Sequence, residues 1–273
     1  MSKNHTTAKI WPDYSFLKRY GEKYKLVTMD YYRPAGYEEN CLYESDKSDE
    51  SDENKNYEKL AQSISRARQK IFEYAICNDF DFFVTLTLDE SKIKRDNIDN
   101  YIKKLGQYIR DLRKHTGQNI EYLLIPERHK DGKNWHMHGL MKGISDLRIF
   151  DVDEHIPFKM KDKILRYREQ NLDLYEWVGY AEKFGFNCIE PVRNLEACSK
   201  YVTKYVSKEI GKGINVKNKK MYYASRGLKR AELIKKGMII NKADIVYDYV
   251  AEHCKIKWLT EDQAKEIEKL FYC

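Results

Sequence analysis

The chain has 273 residues, of which 42% are hydrophobic and 34% are charged, and its formal net charge is +7. This composition is sufficient for a hydrophobic core in one large domain or two small ones. No apolar run approaches the roughly 18 residues of a membrane span, and the N-terminal "MSKNHTTAKIWPDYSF" lacks the apolar core of a signal peptide. We therefore expect a cytoplasmic protein without a membrane partner. The six cysteines form no C-x-x-C pair, which argues against a zinc ribbon and favours free thiols.

The charge is unevenly distributed along the chain. Residues 44–55, "ESDKSDESDENK", contain six acids and two lysines, so the remainder carries +11. We expect residues 1–56 to form an appendage that ends in this acidic, flexible linker. A basic remainder indicates a polyanionic partner such as nucleic acid, and ordinary solubility is the alternative.

The hydrophobic pattern predicts alternating helices and strands from residue 57 onward. Apolar residues at helical spacing predict helices over 57–77, 96–115 and 194–210, the last with Asn194 as N-cap. Strands are predicted at 81–88, 120–127, 135–143, 186–192 and 221–228, with a hairpin turn at Asp131-Gly132. Residues 145–185 indicate only helical pieces and loops. We expect an α+β domain with a largely antiparallel sheet over 57–235 and a C-terminal extension, 236–273, packed on it.

The stretch "NWHMHGL" contains two histidines, His136 and His138, at i and i+2 on a predicted strand. Alternate residues of a strand face the same side, so both imidazoles point toward one place. The hairpin brings Glu127 close to His136, which predicts an N,N,O set of metal ligands with open positions. Mn²⁺ or Mg²⁺ are the favoured ions, and His129 is a rival third ligand. A lone H-x-H is more often ordinary surface or packing histidine.

The stretch "KYVTKYVSK" contains Tyr201 and Tyr205 at i and i+4 on a predicted helix, so both rings lie on one face. Each tyrosine is followed three residues later by a lysine, Lys204 or Lys208. A tyrosine hydroxyl can attack a phosphodiester when a metal polarises the phosphate and cations stabilise the developing charge. The alternative is a helix that simply buries two aromatic rings against the sheet.

Three motifs in this order resemble the HUH endonucleases, specifically the replication initiators of rolling-circle plasmids, single-stranded DNA phages and related integrative elements. The motifs are "FVTLT" at 83–87, "HMH" at 136–138 and "YVTKYVSK" at 201–208, and the later "YYASRGL" also resembles a segment of these initiators. The resemblance covers about residues 60–230 and implies an antiparallel, ferredoxin/RRM-like core with flanking helices. Because the tyrosines follow the histidines, it favours initiators over conjugative relaxases.

The resemblance implies origin-specific nicking and rejoining of single-stranded or melted DNA through a 5′-phosphotyrosine, leaving a free 3′-OH as primer. It implies His136, His138 and Glu127 as metal ligands, and Tyr205 or Tyr201 as nucleophile with Lys204 and Lys208 assisting. Lys200 and Arg226 are candidate DNA contacts, although Arg226 is equally well an ordinary surface arginine. The chain has no G-x-x-x-x-G-K-[ST] motif, so a host helicase and a host polymerase in a bacterial cytoplasm are the expected partners.

The same residues also permit other interpretations. A single-strand transposase of the same superfamily would use the same chemistry. A DNA-binding protein with this fold would need neither the metal ligands nor the tyrosines. A nuclease that uses a metal-bound water would form no covalent adduct with DNA. Thr85 and Thr87 lie on one face of the first strand, where we expect them to pack.

Overall fold

The computed structural model describes residues 11–32, 52–129, 131–152, 158–210, 220–240, 244–251 and 254–272. The chain divides into two compact units, one formed by Met1–Lys59 with Arg230–Cys273 and the other by Leu60–Lys229. Each unit contains an antiparallel sheet and helices, which confirms the predicted α+β class. No helix in these ranges is both long and apolar enough to cross a membrane.

The first unit joins the two ends of the chain in one six-stranded sheet with the order β11-β12-β2-β1-β10-β13. Its strands are β1 Trp11–Tyr20, β2 Lys23–Tyr32, β10 Glu232–Ile239, β11 Tyr249–Val250, β12 Cys254–Leu259 and β13 Phe271–Tyr272, and its helix is α6, Glu261–Lys269. Leu17 and Leu26 are fully buried between the sheet and α6. The sequence pattern predicts 1–56 and 236–273 as separate flanking segments. In the structure, β1 from the first pairs along its length with β10 from the second.

The second unit contains a seven-stranded antiparallel sheet with the order β6-β7-β8-β3-β5-β4-β9. Its strands are β3 Phe82–Thr87, β4 Glu121–Arg128, β5 Trp135–Lys142, β6 Leu147–Ile149, β7 Tyr175–Trp177, β8 Asn187–Pro191 and β9 Tyr223–Ala224. The central strands β3, β5 and β4 therefore come from the three strongest sequence patterns. The predicted strand at 221–228 is reduced to the two residues of β9.

Helices cover both faces of this sheet. They are α1 Asp52–Ile76, which begins in the first unit, α2 Ile98–Thr116, α3 Phe158–Arg168, α4 Val178–Lys183 and α5 Leu195–Ile210. Helices α2 and α4 pack on one face through Ile109 and Tyr180, and α1 and α5 pack on the other through Ile71 and Val202. Helix α3 packs on Cys188 of β8, which lies in register with the histidine-bearing part of β5.

Most helix boundaries agree with the sequence pattern to within two residues. Helix α1 begins five residues before the predicted helix, so it includes the end of the acidic segment that the composition predicts to be a flexible linker; residues 44–51 of that segment lie outside the described ranges. Asn194 caps α5 as predicted, because its side-chain oxygen accepts a hydrogen bond of 2.9 Å from the backbone N–H of Ala197.

Candidate metal and tyrosine site

The pairing of β4 with β5 brings the three predicted ligand residues together. Glu127 lies opposite His136, and the next site-facing pair along the strands is Ile125 with His138. The Nε2 atoms of His136 and His138 lie 3.1 Å and 3.0 Å from Oε2 of Glu127. The three possible ligand atoms lie within 4.8 Å of one another, so this group could hold a metal ion. Two imidazole nitrogens and one carboxylate oxygen form a donor set that suits a divalent cation.

The electrostatics of Glu127 favour an ionised carboxylate. Burial opposes ionisation, but hydrogen bonds and charge interactions with His136 and His138 hold the pKa of Glu127 well below its usual range. The side chains of all three residues are largely buried. A permanently charged carboxylate between two imidazoles is poorly balanced without a cation, and a divalent ion would balance it.

The hairpin that connects the two strands has the predicted turn chemistry. Gly132 has a positive φ of 72°. Asp131 accepts hydrogen bonds of 2.9 Å from the backbone N–H groups of Lys133 and Asn134, and these bonds lower the pKa of Asp131 to about 2. The rival ligand His129 is half-exposed, and its Nδ1 lies 3.6 Å from Asp131, so it is not part of the ligand group.

His138 connects the ligand group to its surroundings on two sides. A hydrogen bond of 3.1 Å joins its Nδ1 to Oγ1 of Thr85 on β3, and this bond orients the ring with Nε2 toward Glu127. Thr85 therefore does more than pack, which is the only role that the sequence predicts for it. On the other side, the ring of Tyr205 stacks on His138 with a centroid distance of 4.1 Å and an interplanar angle of 15°.

The two tyrosines have different environments although they lie one helical turn apart. Tyr205 is 4% exposed, whereas Tyr201 is 45% exposed and contacts Phe83 with a ring distance of 5.5 Å. The hydroxyl of Tyr205 donates a hydrogen bond of 2.9 Å to the hydroxyl of Tyr201. Burial, this hydrogen bond and the nearby carboxylates raise the pKa of Tyr205 well above its usual range. Its valine neighbours Val202 and Val206 are buried against the sheet and hold this face of α5 in place.

The predicted cationic residues lie around this pair rather than within it. The Nζ of Lys204 lies 5.9 Å from the centre of the Tyr201 ring. Lys208 lies in the last turn of α5, and its side chain is outside the described part of the structure. Lys200 pairs with Glu196 at 2.8 Å, and Arg226 is exposed in the turn after β9. The DNA contacts of Lys200 and Arg226 stay predictions.

An open cleft of about 810 Å³ adjoins His138 and both tyrosines. Its opposite wall is formed by residues that the sequence patterns did not single out, namely Lys163, Tyr167, Glu190 and Arg193. These residues come from α3, from β8 and from the segment before α5. No local motif marks them, because only the packing of α3 on β8 brings them to the cleft.

Residues 81–210 match a family model that describes a replication-associated protein of the ORF2 type. The matched segment contains the metal-ligand group, both tyrosines and the four residues of the opposite cleft wall. A comparison with curated proteins and a comparison with solved structures found no match. The family match supports a replication initiator family and suggests a role in the initiation of replication.

Proposed function

We propose that the protein initiates rolling-circle replication by nicking and rejoining single-stranded or melted origin DNA through a phosphotyrosine intermediate. One observation carries this proposal: the ring of Tyr205 stacks on His138, so a tyrosine pair lies directly against a group of metal-ligand type. Binding of DNA alone requires neither feature. The proposal also agrees with the family match of the segment that contains the site, and with the resemblance to the HUH endonucleases.

Glu127, His136 and His138 are the residues that would hold one divalent cation, for which Mn²⁺ or Mg²⁺ is the proposed identity. The donor set fits such an ion because it combines neutral nitrogens with a carboxylate whose pKa is held low. A bound divalent cation polarises a phosphate oxygen and so makes the phosphorus more electrophilic. Thr85 keeps His138 in the orientation that leaves Nε2 directed toward this position.

The tyrosine hydroxyl supplies the nucleophile in the proposed reaction. A new bond forms between the phenolic oxygen and phosphorus, and the bond from phosphorus to the 3′ oxygen of the preceding nucleotide breaks. The phenol loses its proton, and the departing 3′ oxygen gains one, so the products are a 5′-phosphotyrosine and a free 3′-OH. Lys204, which lies beside the Tyr201 ring, stabilises the negative charge that develops during transfer.

We propose that Tyr205 attacks first and that Tyr201 acts in the second transfer. The ring of Tyr205 lies against His138, and Tyr201 is one turn away along α5. The two hydroxyl oxygens are 2.9 Å apart, so a small movement of one phosphate brings it within reach of either. A second transfer by the other tyrosine rejoins the displaced strand after one round of synthesis. A host polymerase would extend the 3′-OH, and a host helicase would separate the strands.

The test uses a labelled single-stranded oligonucleotide library with Mn²⁺, analysed on a denaturing gel. Wild type is compared with Tyr201→Phe, Tyr205→Phe and the double variant. A matched control is Tyr175→Phe, because Tyr175 lies on the edge-side strand β7 and packs against Phe82. We expect a covalent protein–DNA adduct in wild type and in the control, its loss in the double variant, and its loss in EDTA.

Two outcomes would contradict the proposal. Cleavage without an adduct, unchanged in the double variant, would indicate hydrolysis by a metal-bound water. Binding without cleavage or adduct on a library that contains the origin would indicate a DNA-binding protein. The two single variants report the order of the tyrosines, since only the first nucleophile is needed for the initial adduct.

A further inference from the structure

The cleft beside the tyrosines has a wall that the proposed transfer does not use. It extends from Phe83 and His138 on the sheet, past both tyrosines, to helix α3. Its volume of about 810 Å³ lies in the usual range of about 300–1,000 Å³ for small-ligand sites. The cleft therefore has room for a group larger than the phosphate that reacts.

The far wall contains a carboxylate whose position is fixed by two hydrogen bonds. Glu190 lies on β8 directly opposite Phe83 of β3. Its Oε1 lies 2.7 Å from Nζ of Lys163, and its Oε2 accepts a hydrogen bond of 2.7 Å from the hydroxyl of Tyr167. The Glu190 side chain is only 12% exposed. A carboxylate oxygen can accept more than one hydrogen bond, and an ammonium group can donate three, so this fixed pair retains capacity for a ligand.

The same wall also offers aromatic surface. The guanidinium carbon of Arg193 lies 5.1 Å from the centre of the Tyr167 ring, and Phe83 and Tyr201 line the other side of the cleft. Nucleobases stack on aromatic rings and on guanidinium planes regardless of base identity. A cleft with such surfaces and one neutralised ion pair suits a base better than a phosphate, which would prefer unpaired cations.

We propose that this cleft holds one unstacked nucleobase of the DNA strand beside the scissile phosphate, and that Glu190 and Lys163 together recognise its hydrogen-bonding edge. Glu190 accepts a hydrogen bond from an N–H of the base, and Lys163 donates one to the neighbouring ring nitrogen or carbonyl oxygen. Tyr167 positions the carboxylate and provides the stacking surface with Arg193. The inference deepens the proposed function and rests on it, because the ligand is the same single strand.

The test measures base preference at each position by binding alone. A randomised single-stranded DNA library is equilibrated with the protein in EDTA, and the bound and unbound fractions are sequenced. We compare wild type with Glu190→Gln, Tyr167→Phe and the matched control Glu182→Gln, an exposed glutamate on helix α4, which covers the other face of the sheet. Wild type and the control should share one profile in which a single position shows a preference of about 5-fold or more, the size expected for paired contacts to a base edge.

Glu190→Gln should flatten the preference at that one position and leave the others unchanged, because an amide replaces one acceptor with a donor. Tyr167→Phe should weaken the same position, since it releases Glu190 but keeps the ring. The second variant also serves if the first does not fold. A wild-type profile in both variants, an equal loss at all positions, or no binding of single strands by wild type would overturn the inference.

The adduct assay on the same variants separates this inference from the proposed function. If no protein forms an adduct with Mn²⁺ while the binding profile responds to Glu190→Gln as expected, the phosphotyrosine chemistry is wrong and the base site stands. If wild type forms the adduct and the profile does not respond, the chemistry stands and the base site is wrong.

Discussion

Replacement of Gly139 by alanine should damage the fold and the ligand group together. Gly139 follows His138 on β5 and lies between Leu124 on β4 and Val84 on β3. A Cβ built at Gly139 would overlap the carbonyl oxygen of Leu123 and would lie 2.9 Å from Cα of Leu124. Both obstacles are backbone atoms of the neighbouring strand, so rotation of a side chain cannot relieve the overlap. Strands β4 and β5 must separate, and these strands hold all three ligand residues.

The size of the effect follows from the overlap. Overpacking a well-packed interior costs about 1–3 kcal/mol, and a backbone obstacle places Gly139→Ala near the upper value. For a unit of this size, each kcal/mol lowers the midpoint of thermal unfolding by about 2–4 °C, so we expect a decrease of about 6–12 °C. Movement of Glu127 relative to the histidines should also weaken Mn²⁺ binding by about tenfold or more, as disturbed support of ligands does elsewhere.

Thermal unfolding followed by circular dichroism measures the first effect, and a calorimetric Mn²⁺ titration measures the second. Gly106→Ala is the matched control. Gly106 lies within helix α2, and an added Cβ would meet only the guanidinium end of Arg110, at 3.5 Å. Alanine is favoured over glycine inside a helix by about 1 kcal/mol, so the control should gain stability. A Gly139→Ala variant that unfolds at the wild-type temperature and binds Mn²⁺ normally would refute this reasoning.

Three further predictions concern other parts of the molecule. Thr85→Val should weaken Mn²⁺ binding by about tenfold because His138 loses its orienting hydrogen bond; Thr87→Val, a change of the same size on the same strand, should not, and equal effects would contradict the role of Thr85. Burial raises the pKa of the Cys188 thiol to about 12, so iodoacetamide at pH 8 should leave Cys188 unmodified until the protein is denatured, as read by peptide mass spectrometry. Thr28→Val should destabilise the first unit by about 1–3 kcal/mol in denaturant titration, because its buried hydroxyl bridges two others; an unchanged midpoint would show that the bridge is dispensable.

The ligand group could be predicted from the sequence because its geometry is local. Alternation along a strand places His136 and His138 on one side, and the short hairpin at Asp131-Gly132 sets the register that brings Glu127 opposite His136. A one-residue change in this register would turn the carboxylate to the other face. The i and i+4 spacing likewise places both tyrosines on one face of α5 without knowledge of the rest of the fold.

The parts that could not be predicted depend on contacts between distant segments. The sequence does not state which tyrosine will be buried, because that depends on how α5 is seated on the sheet. The same holds for the cleft wall, since Lys163 and Glu190 meet only after α3 packs on β8. It holds most strongly for the first unit, in which β1 pairs with β10 across more than 200 residues of chain. Hydrophobic alternation identifies a strand but does not identify a partner so far away.

The tyrosine pair and the ligand group are supported by the same apolar cluster, and this has a functional consequence. Tyr205, Val202 and Val206 pack with Ile125 and Leu140, which lie on the two strands that hold the ligands. The position of the nucleophile is therefore tied to β4 and β5 by rigid packing rather than by a flexible loop. Movement of α5 would shift the Tyr205 ring relative to His138 and change the distance between the hydroxyl and a bound phosphate. Since misplacement by about 1 Å can reduce a reaction rate by about 100-fold, apolar substitutions in this cluster should affect adduct formation more than DNA binding.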